Sequence, residues 1–516
     1  MGNRSPVNNP CGMTTYRKFS QTSLLLALSA AAVAGSLTVG GTGVARADEG
    51  GGVAWRPCAQ AGGPEGQECG ELEVPLDYRK PGGKQVTLAV SRVRSERPEA
   101  RRGVLLMIPG GPGGSGVQAL ARKGKALQRE MDGAYDIVSF DPRGVGGSTT
   151  ASCGLDAGDR YLASLRSWPG ADGGIGENVD RSRRMAEACE ENGGAVLRSF
   201  TSANEVRDIE RFRQALGEEK LSAWGSSYGT YIGAVYAQKY PNRTDRWVLD
   251  SSGDPDPTRV EQGWMANTSR AMEDRFPDFA AWAADPARDA EGDGLRLGEH
   301  AHDVRELYLE LAARLDREPK ESTTEGNPLT GGMLRQAFLN GLYSDASFPQ
   351  LARLVRAAQD PAATPVLSPD LAQPLRDEDV TVMVAVICND VRWSTSVSGY
   401  ARATKADRAR YPLTAGMPQN VLPCAFWKSD LVEKPTRITD DGPSNVLMIQ
   451  SLRDPSTPYF GALKMREALG DRARLVSVDQ GGHGMYLGNG NACGNSKVTT
   501  FLKTGERPTR DVYCAS

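Results

Sequence analysis

Residues 223–233 read AWGSSYGTYIG, with the strand-like run KLSAW leading in and the helix-like run YGTYIGAVYAQKY leading out. Glycines two residues to either side of a serine, on a strand-to-helix turn, form the nucleophile-elbow pattern. Only Ser227 satisfies it, because Gly225 and Gly229 stand at that distance, whereas Ser226 has Trp224 and Tyr228 there. The glycines leave room for a turn tight enough to hold a serine in a strained conformation, with its hydroxyl projecting from the end of a sheet. Such a turn needs a strand, a helix and a sheet around it.

The rest of the chain offers them. KQVTLAVSRVR (84–94) alternates apolar and polar residues, as an edge or hairpin strand does. GVLLMIP (103–109) and YDIVSFD (135–141) are short, nearly continuous apolar runs of the kind found in buried parallel strands. SANEVRDIERFRQALG (202–217) reads as a helix, opened by a Ser202–Glu205 capping box and stopped at Gly217, with Val206, Ile209, Phe212 and Leu216 as its apolar stripe. RWVLDSS (246–252) is a further strand pattern. From about Pro255 to Gly442 strands largely vanish and helical patterns such as 301–316 and 333–343 dominate. The strand rhythm returns at SNVLMIQS (444–451) and ARLVSVD (473–479), before a C-terminal helix near KVTTFLKT. The expected fold is therefore α/β, a strand–helix core interrupted by a mostly helical insertion between core strands. The expected divisions are 1–47, a core 48–254, the insertion 255–442 and a returning core segment 443–516.

A serine hydroxyl is a poor nucleophile without a base. The chain has three histidines. His300 and His302 sit in the polar stretch GEHAHD and are expected in solvent, whereas His483 lies in the glycine-rich loop DQGGHGMY just after a strand pattern. The imidazole in turn needs a carboxylate to fix its tautomer. Asp454, in MIQSLRDPSTPY, stands on a loop after a strand, with Thr457 close enough to support it; Asp479 is the local rival, near the end of the next strand. Ser227, Asp454 and His483 follow one another in the α/β-hydrolase order. Donors for an oxyanion are expected from the backbone N–H of Tyr228 and from the loop PGGPGGSG (109–116), at Gly111 with Gly110 as the alternative. That loop lacks the spacing of a phosphate-binding motif. The reaction class that fits is serine-dependent acyl transfer to water, with neither cofactor nor metal.

The first 47 residues carry no Asp or Glu. Arg17 and Lys18 precede the apolar run SLLLALSAAAVAGSLTVGG, and ARA then leads into Asp48, the layout of an export signal cut after Ala47. No other stretch approaches a membrane span, so a secreted protein free of the membrane is expected. Cleavage takes the formal charge from −3 to −7, a poor balance for nucleic-acid binding. It also leaves eight cysteines, an even number in an exported chain, for which sequential pairing is expected: Cys58–Cys69, Cys153–Cys189, Cys388–Cys424 and Cys493–Cys514.

Taken in order, WRPC (55–58), EVPLDYRKPGGKQVTLAVSR (73–92), PGGPGGSG, SFDPRGVGGS (139–148), GSSYGTYIGAVYAQKYP (225–241), ICND (387–390), IQSLRDPSTPY (449–459) and GGHG (481–484) resemble the secreted bacterial tripeptidyl aminopeptidases, relatives of the prolyl iminopeptidases. The likeness spans nearly all of the chain after residue 47. It implies an α/β-hydrolase fold with the helical insertion as a lid over the site, Ser227, Asp454 and His483 as triad, Gly111 and Tyr228 as oxyanion hole, and release of short peptides, three residues long, from a free N-terminus. Peptides and proteins with a free amine are the expected partners, and a monomer the expected form. An aminopeptidase must recognise a protonated amine, so a carboxylate should face the pocket. Asp390, which follows an apolar run beside Cys388, is the first candidate, and Glu261, Glu273 and Asp274 are others. A carboxylesterase with the same triad is the alternative, and a hydrolase fold kept only for binding is a third reading.

Overall fold

The computed structural model describes residues 52–59, 63–161, 165–289, 294–324, 326–431 and 433–516. The expected signal segment 1–47 lies outside the described residues.

The strands are β1 (Arg56–Pro57), β2 (Gln67–Pro75), β3 (Gln85–Val93), β4 (Gly103–Ile108), β5 (Tyr135–Phe140), β6 (Leu221–Ser226), β7 (Thr244–Asp250), β8 (Val446–Arg453), β9 (Ala473–Gly481) and β10 (Val512–Cys514). They form one sheet in the order β1-β2-β3-β5-β4-β6-β7-β8-β9-β10. β1, β2 and β3 pair antiparallel, as does β3 with β5, and every later pairing is parallel. KQVTLAVSRVR is thus the inner arm of a hairpin, paired on both sides, rather than an edge.

The near-continuous apolar runs have a simple cause, since both faces of the sheet are covered. On one face Val104, Leu106, Ile108 and Ala223 pack with Val206, Ile209 and Phe212 of the helix Ser202–Ala215 and with Tyr231 and Val235 of the helix Tyr228–Lys239. On the other, Leu105, Met107 and Trp224 pack with Leu120 and Leu127 of the helix Gly116–Met131 and with Val498 and Phe501 of the helix Ala492–Thr504. Adjacent residues of β4 and β6 serve opposite faces, so every position must be apolar or small.

Between β7 and β8 the described residues form helices, among them Val260–Ala284, Ala301–Arg317, Gly331–Gly341, Phe348–Gln359, Asp377–Asp390 and Val397–Arg410. Phe276, Phe279, Tyr308, Leu311, Phe338 and Phe348 give part of this segment an apolar core of its own. The helix Asp377–Asp390 instead packs into the main core through Val380, Val384 and Ile387. The cysteines pair sequentially, with Cys493–Cys514 tying the last helix to β10. No helix among the described residues is long and apolar enough to cross a membrane.

Register brings the strand ends together. Ile108 lies opposite Gly225, Ser226 opposite Asp250 and Asp250 opposite Ile449. Loops leaving β4, β6, β7 and β8 therefore emerge side by side at the carboxyl ends of the strands, where open α/β sheets hold their ligands.

Candidate active site

Ser227 sits between β6 and the helix that follows, at φ 59°, ψ −126°. Positive φ is rare for a residue with a side chain and is held only where the surroundings fix it. The two glycines of the pattern explain how. A Cβ on Gly225 would lie 2.4 Å from the carbonyl oxygen of Gly229, and one on Gly229 would lie 2.4 Å from that of Ile108 and 2.7 Å from that of Pro109. Both sites are closed by backbone, which cannot swing aside. The elbow is pressed against itself and against the end of β4.

The loop after β4 lies against the serine. A Cβ on Gly110 would come within 3.0 Å of both Ser227 Cβ and Ser226 O. Gly111 has φ 130°, a conformation open to glycine. Asp141 anchors this loop's exit, accepting from Ser115 Oγ at 2.6 Å and from the backbone N–H of Val117 at 3.0 Å. Gly110 thus abuts Ser227, with Gly111 next to it in the loop.

The loop after β9 carries His483. Its Nδ1 stands 2.9 Å from Asp454 Oδ2 and 3.0 Å from Oδ1. Asp454 is buried and also accepts from the N–H groups of Ser456 and Thr457, each at 2.8 Å. The hydroxyl of Thr457 lies 3.0 Å from Asp454 Oδ2, the support the sequence suggested. Burial alone would lower the pKa of His483, but the charge and hydrogen bond of Asp454 outweigh it, and the imidazole titrates above its ordinary value. Asp479 is engaged elsewhere, by Arg453 and the Tyr513 hydroxyl. His300 and His302 are exposed at the start of the helix Ala301–Arg317. The helical segment reaches the imidazole directly: Tyr343 O accepts from His483 N at 3.0 Å, and the two rings lie 4.8 Å apart.

A buried acidic cluster lies behind Tyr228. Glu261 is 1% exposed, Glu205 6% and Asp390 8%. Asp390 accepts from the backbone N–H of Ser202 at 3.0 Å and from the Ser202 hydroxyl, which also meets the Tyr228 hydroxyl at 2.7 Å. Glu261 faces Asp390, yet neither of its carboxyl oxygens, nor Oε1 of Glu205, has a hydrogen-bond partner of ordinary geometry. Burial and the neighbouring carboxylates push Glu205 and Glu261 well above the usual range. Burial raises Asp390 less, to about 6, because the hydrogen bonds it accepts from Ser202 oppose the effect. Glu273 and Asp274 belong elsewhere, paired with Arg305 and Arg270.

The sequence reading of Ser202–Glu205 as a capping box is corrected here. Thr201 is the cap, its side chain accepting from Asn204 N, and Ser202 and Glu205 turn inward to the cluster. Position i, i+3 before an apolar stripe fits a capping box and a buried polar pair equally well. Only the tertiary neighbour Asp390 distinguishes them.

The parallel sheet, the elbow at a strand end and the histidine–carboxylate pair at neighbouring strand ends define an α/β-hydrolase of the serine type. A family model described as TAP-like protein matches residues 411–514. Over 488 residues the chain is 35% identical to the tripeptidyl aminopeptidase of Streptomyces lividans, covering 90% of this chain and 87% of that protein. It is 27% identical to the serine protease Hip1 of Mycobacterium tuberculosis (strain H37Rv), covering 90% and 91%. A carboxylesterase B of M. tuberculosis (strain CDC 1551) is 28% identical, covering 87% and 86%. The chain belongs to the tripeptidyl aminopeptidase family and is a serine peptidase.

Proposed function

We propose that this protein is a secreted aminopeptidase that removes short peptides, tripeptides by kinship, from the free N-terminus of peptides and proteins. Ser227 is the nucleophile. His483 Nε2 takes its proton as Oγ attacks the scissile carbonyl, while Nδ1–H donates to Asp454. The N–H groups of Gly111 and Tyr228 receive the developing oxyanion. His483 then hands its proton to the leaving amine, and water attacks the acyl-enzyme by the same route in reverse.

The observation that carries the exopeptidase reading is the pair Glu261 and Asp390. Two carboxyls buried against each other, one with no partner for either oxygen, are costly unless something cationic completes them. A substrate ammonium is such a group. Before it arrives the pair retains a proton, and ammonium binding displaces it.

Glu261→Gln tests this. It should raise KM at least tenfold for a tripeptide anilide with a free amine and leave its N-acetylated twin unaffected. Equal KM changes on both substrates would remove the pair from amine recognition. Export is supported by the four disulfides and tested by the N-terminal sequence of protein recovered from culture medium, expected to begin at Asp48.

A further inference from the structure

Four hydrogen-bond donors from three segments converge on one fully buried carboxylate that the chemistry above does not use. Asp250, the last residue of β7, accepts from Met485 N at 2.8 Å and from Ser251 Oγ at 3.2 Å on Oδ1. Its Oδ2 accepts from Tyr486 N at 2.9 Å and from Trp224 Nε1 at 3.2 Å. Its backbone oxygen accepts from Ser227 N at 3.0 Å. Ser251, held at φ 64°, takes the N–H of Gly484 on its hydroxyl at 2.9 Å, and its carbonyl lies 3.0 Å from the hydroxyl of Thr457. This dipeptide therefore touches the serine itself, the threonine beside Asp454, and each of the three residues that follow His483.

We propose that Asp250 and Ser251 are the positioning residues of the site, fixing the loop that carries His483 against the strand end that carries Ser227. The proposal rests on the triad reading above. Only an ionised carboxylate offers acceptors for four donors at once, and from the end of β7 the Asp250 and Ser251 side chains bind the loop that leaves β9, two strands away. The same loop lies close to the elbow, since a Cβ on Gly484 would stand 3.8 Å from Ser226 Oγ. Asp250 also acts on the imidazole at a distance. Burial lowers the His483 pKa, Asp454 is the principal group raising it, Asp250 adds to that, and Lys123 from the helix Gly116–Met131 opposes it; the ring of Tyr343, from the helical segment, packs 4.8 Å from the imidazole.

Asp250→Asn is the test, in the full mature chain. An amide presents one oxygen and one NH2, so at least one of the Met485 and Tyr486 N–H groups meets a donor. Misplacement of the base should cost kcat on the order of 10²-fold, with KM for the free-amine tripeptide anilide within about threefold. Loss of the negative charge should also move the acid limb of kcat/KM to lower pH. A purely structural role would not shift that limb. Ser251→Ala, which removes a single contact to the loop, should give a smaller kcat loss with the same constant KM, and it decides the matter if the Asn variant does not fold. A folded Asp250→Asn protein with unchanged kcat, or with its acid limb in place, overturns the proposal; if only Ser251→Ala folds, an unchanged kcat does so. Ser227→Ala run alongside separates this from the triad reading: activity there would remove the triad and leave the hydrogen-bond network standing.

Discussion

Asp454→Asn changes one atom of a carboxylate whose surroundings dictate where the new amide nitrogen goes. Oδ1 accepts from the N–H groups of Ser456 and Thr457, both at 2.8 Å. An amide NH2 placed there would confront two donors, so the carbonyl oxygen stays on that side and the NH2 takes the Oδ2 position. It then stands beside the Thr457 hydroxyl, which can accept, and 2.9 Å from His483 Nδ1. Donation from the amide to Nδ1 forces the imidazole proton onto Nε2. That nitrogen can no longer accept the Ser227 proton. Removing the correct tautomer while keeping the geometry should lower kcat by about 10⁴, which corresponds to about 5.4 kcal/mol of lost transition-state stabilisation. The assay is steady-state turnover of a tripeptide anilide, with circular dichroism to establish the fold and a fluorophosphonate to follow Ser227 reactivity. KM should change little, because Asp454 touches no part of the substrate. An Asn variant that folds and keeps more than a tenth of wild-type kcat would refute the assignment of Asp454 as the group that sets the tautomer.

Further expectations can be checked separately. Gly229→Ala places a methyl 2.4 Å from a backbone oxygen and should cost about 1–3 kcal/mol or more in urea unfolding, whereas Gly82→Ala, with nothing within 4 Å, should be near neutral. Opening Cys493–Cys514, which closes 21 residues, should remove about 3 kcal/mol by the chain-entropy model, read as a lower unfolding midpoint of the double alanine variant. The raised His483 pKa means that kcat/KM falls, as pH drops, at a value above the ordinary histidine range, because the base must be neutral to act. Asp390, at about 6, must be ionised to hold an ammonium, so KM for the free-amine substrate should rise below pH 6 and KM for its N-acetylated twin should not.

Local pattern carried much of this fold. Strands covered on both faces carry runs of apolar residues, so β4 and the apolar stretches Ile137–Val138 of β5 and Val446–Ile449 of β8 announce themselves, and the glycines at 225 and 229 are demanded by backbone contacts that any sequence in that turn must satisfy. The meeting of Asp454 with His483 follows from their places after neighbouring strands, because strand order fixes which loops meet. Three features were not. The strand β10 has three residues and no alternation to detect. Glu205 looked like a helix cap because its spacing is that of a cap, and its true neighbour, Asp390, lies 185 residues away in sequence. Asp250 lies within the strand pattern RWVLDSS, which says nothing of its partners, and the N–H groups it binds belong to a loop more than 230 residues on. Long-range polar pairing leaves no periodic trace, which is why the partners of such buried carboxylates emerge only in three dimensions.

The central claim is that the site requires a free amino terminus. Its most direct test is kcat/KM of the mature protein on three substrates: a tripeptide anilide with a free amine, the same anilide N-acetylated, and a short-chain aryl ester. The account requires turnover of the free-amine peptide at least a hundredfold above its acetylated twin. Ester turnover with both peptides untouched would contradict it and mark the protein as an esterase built on the same three residues.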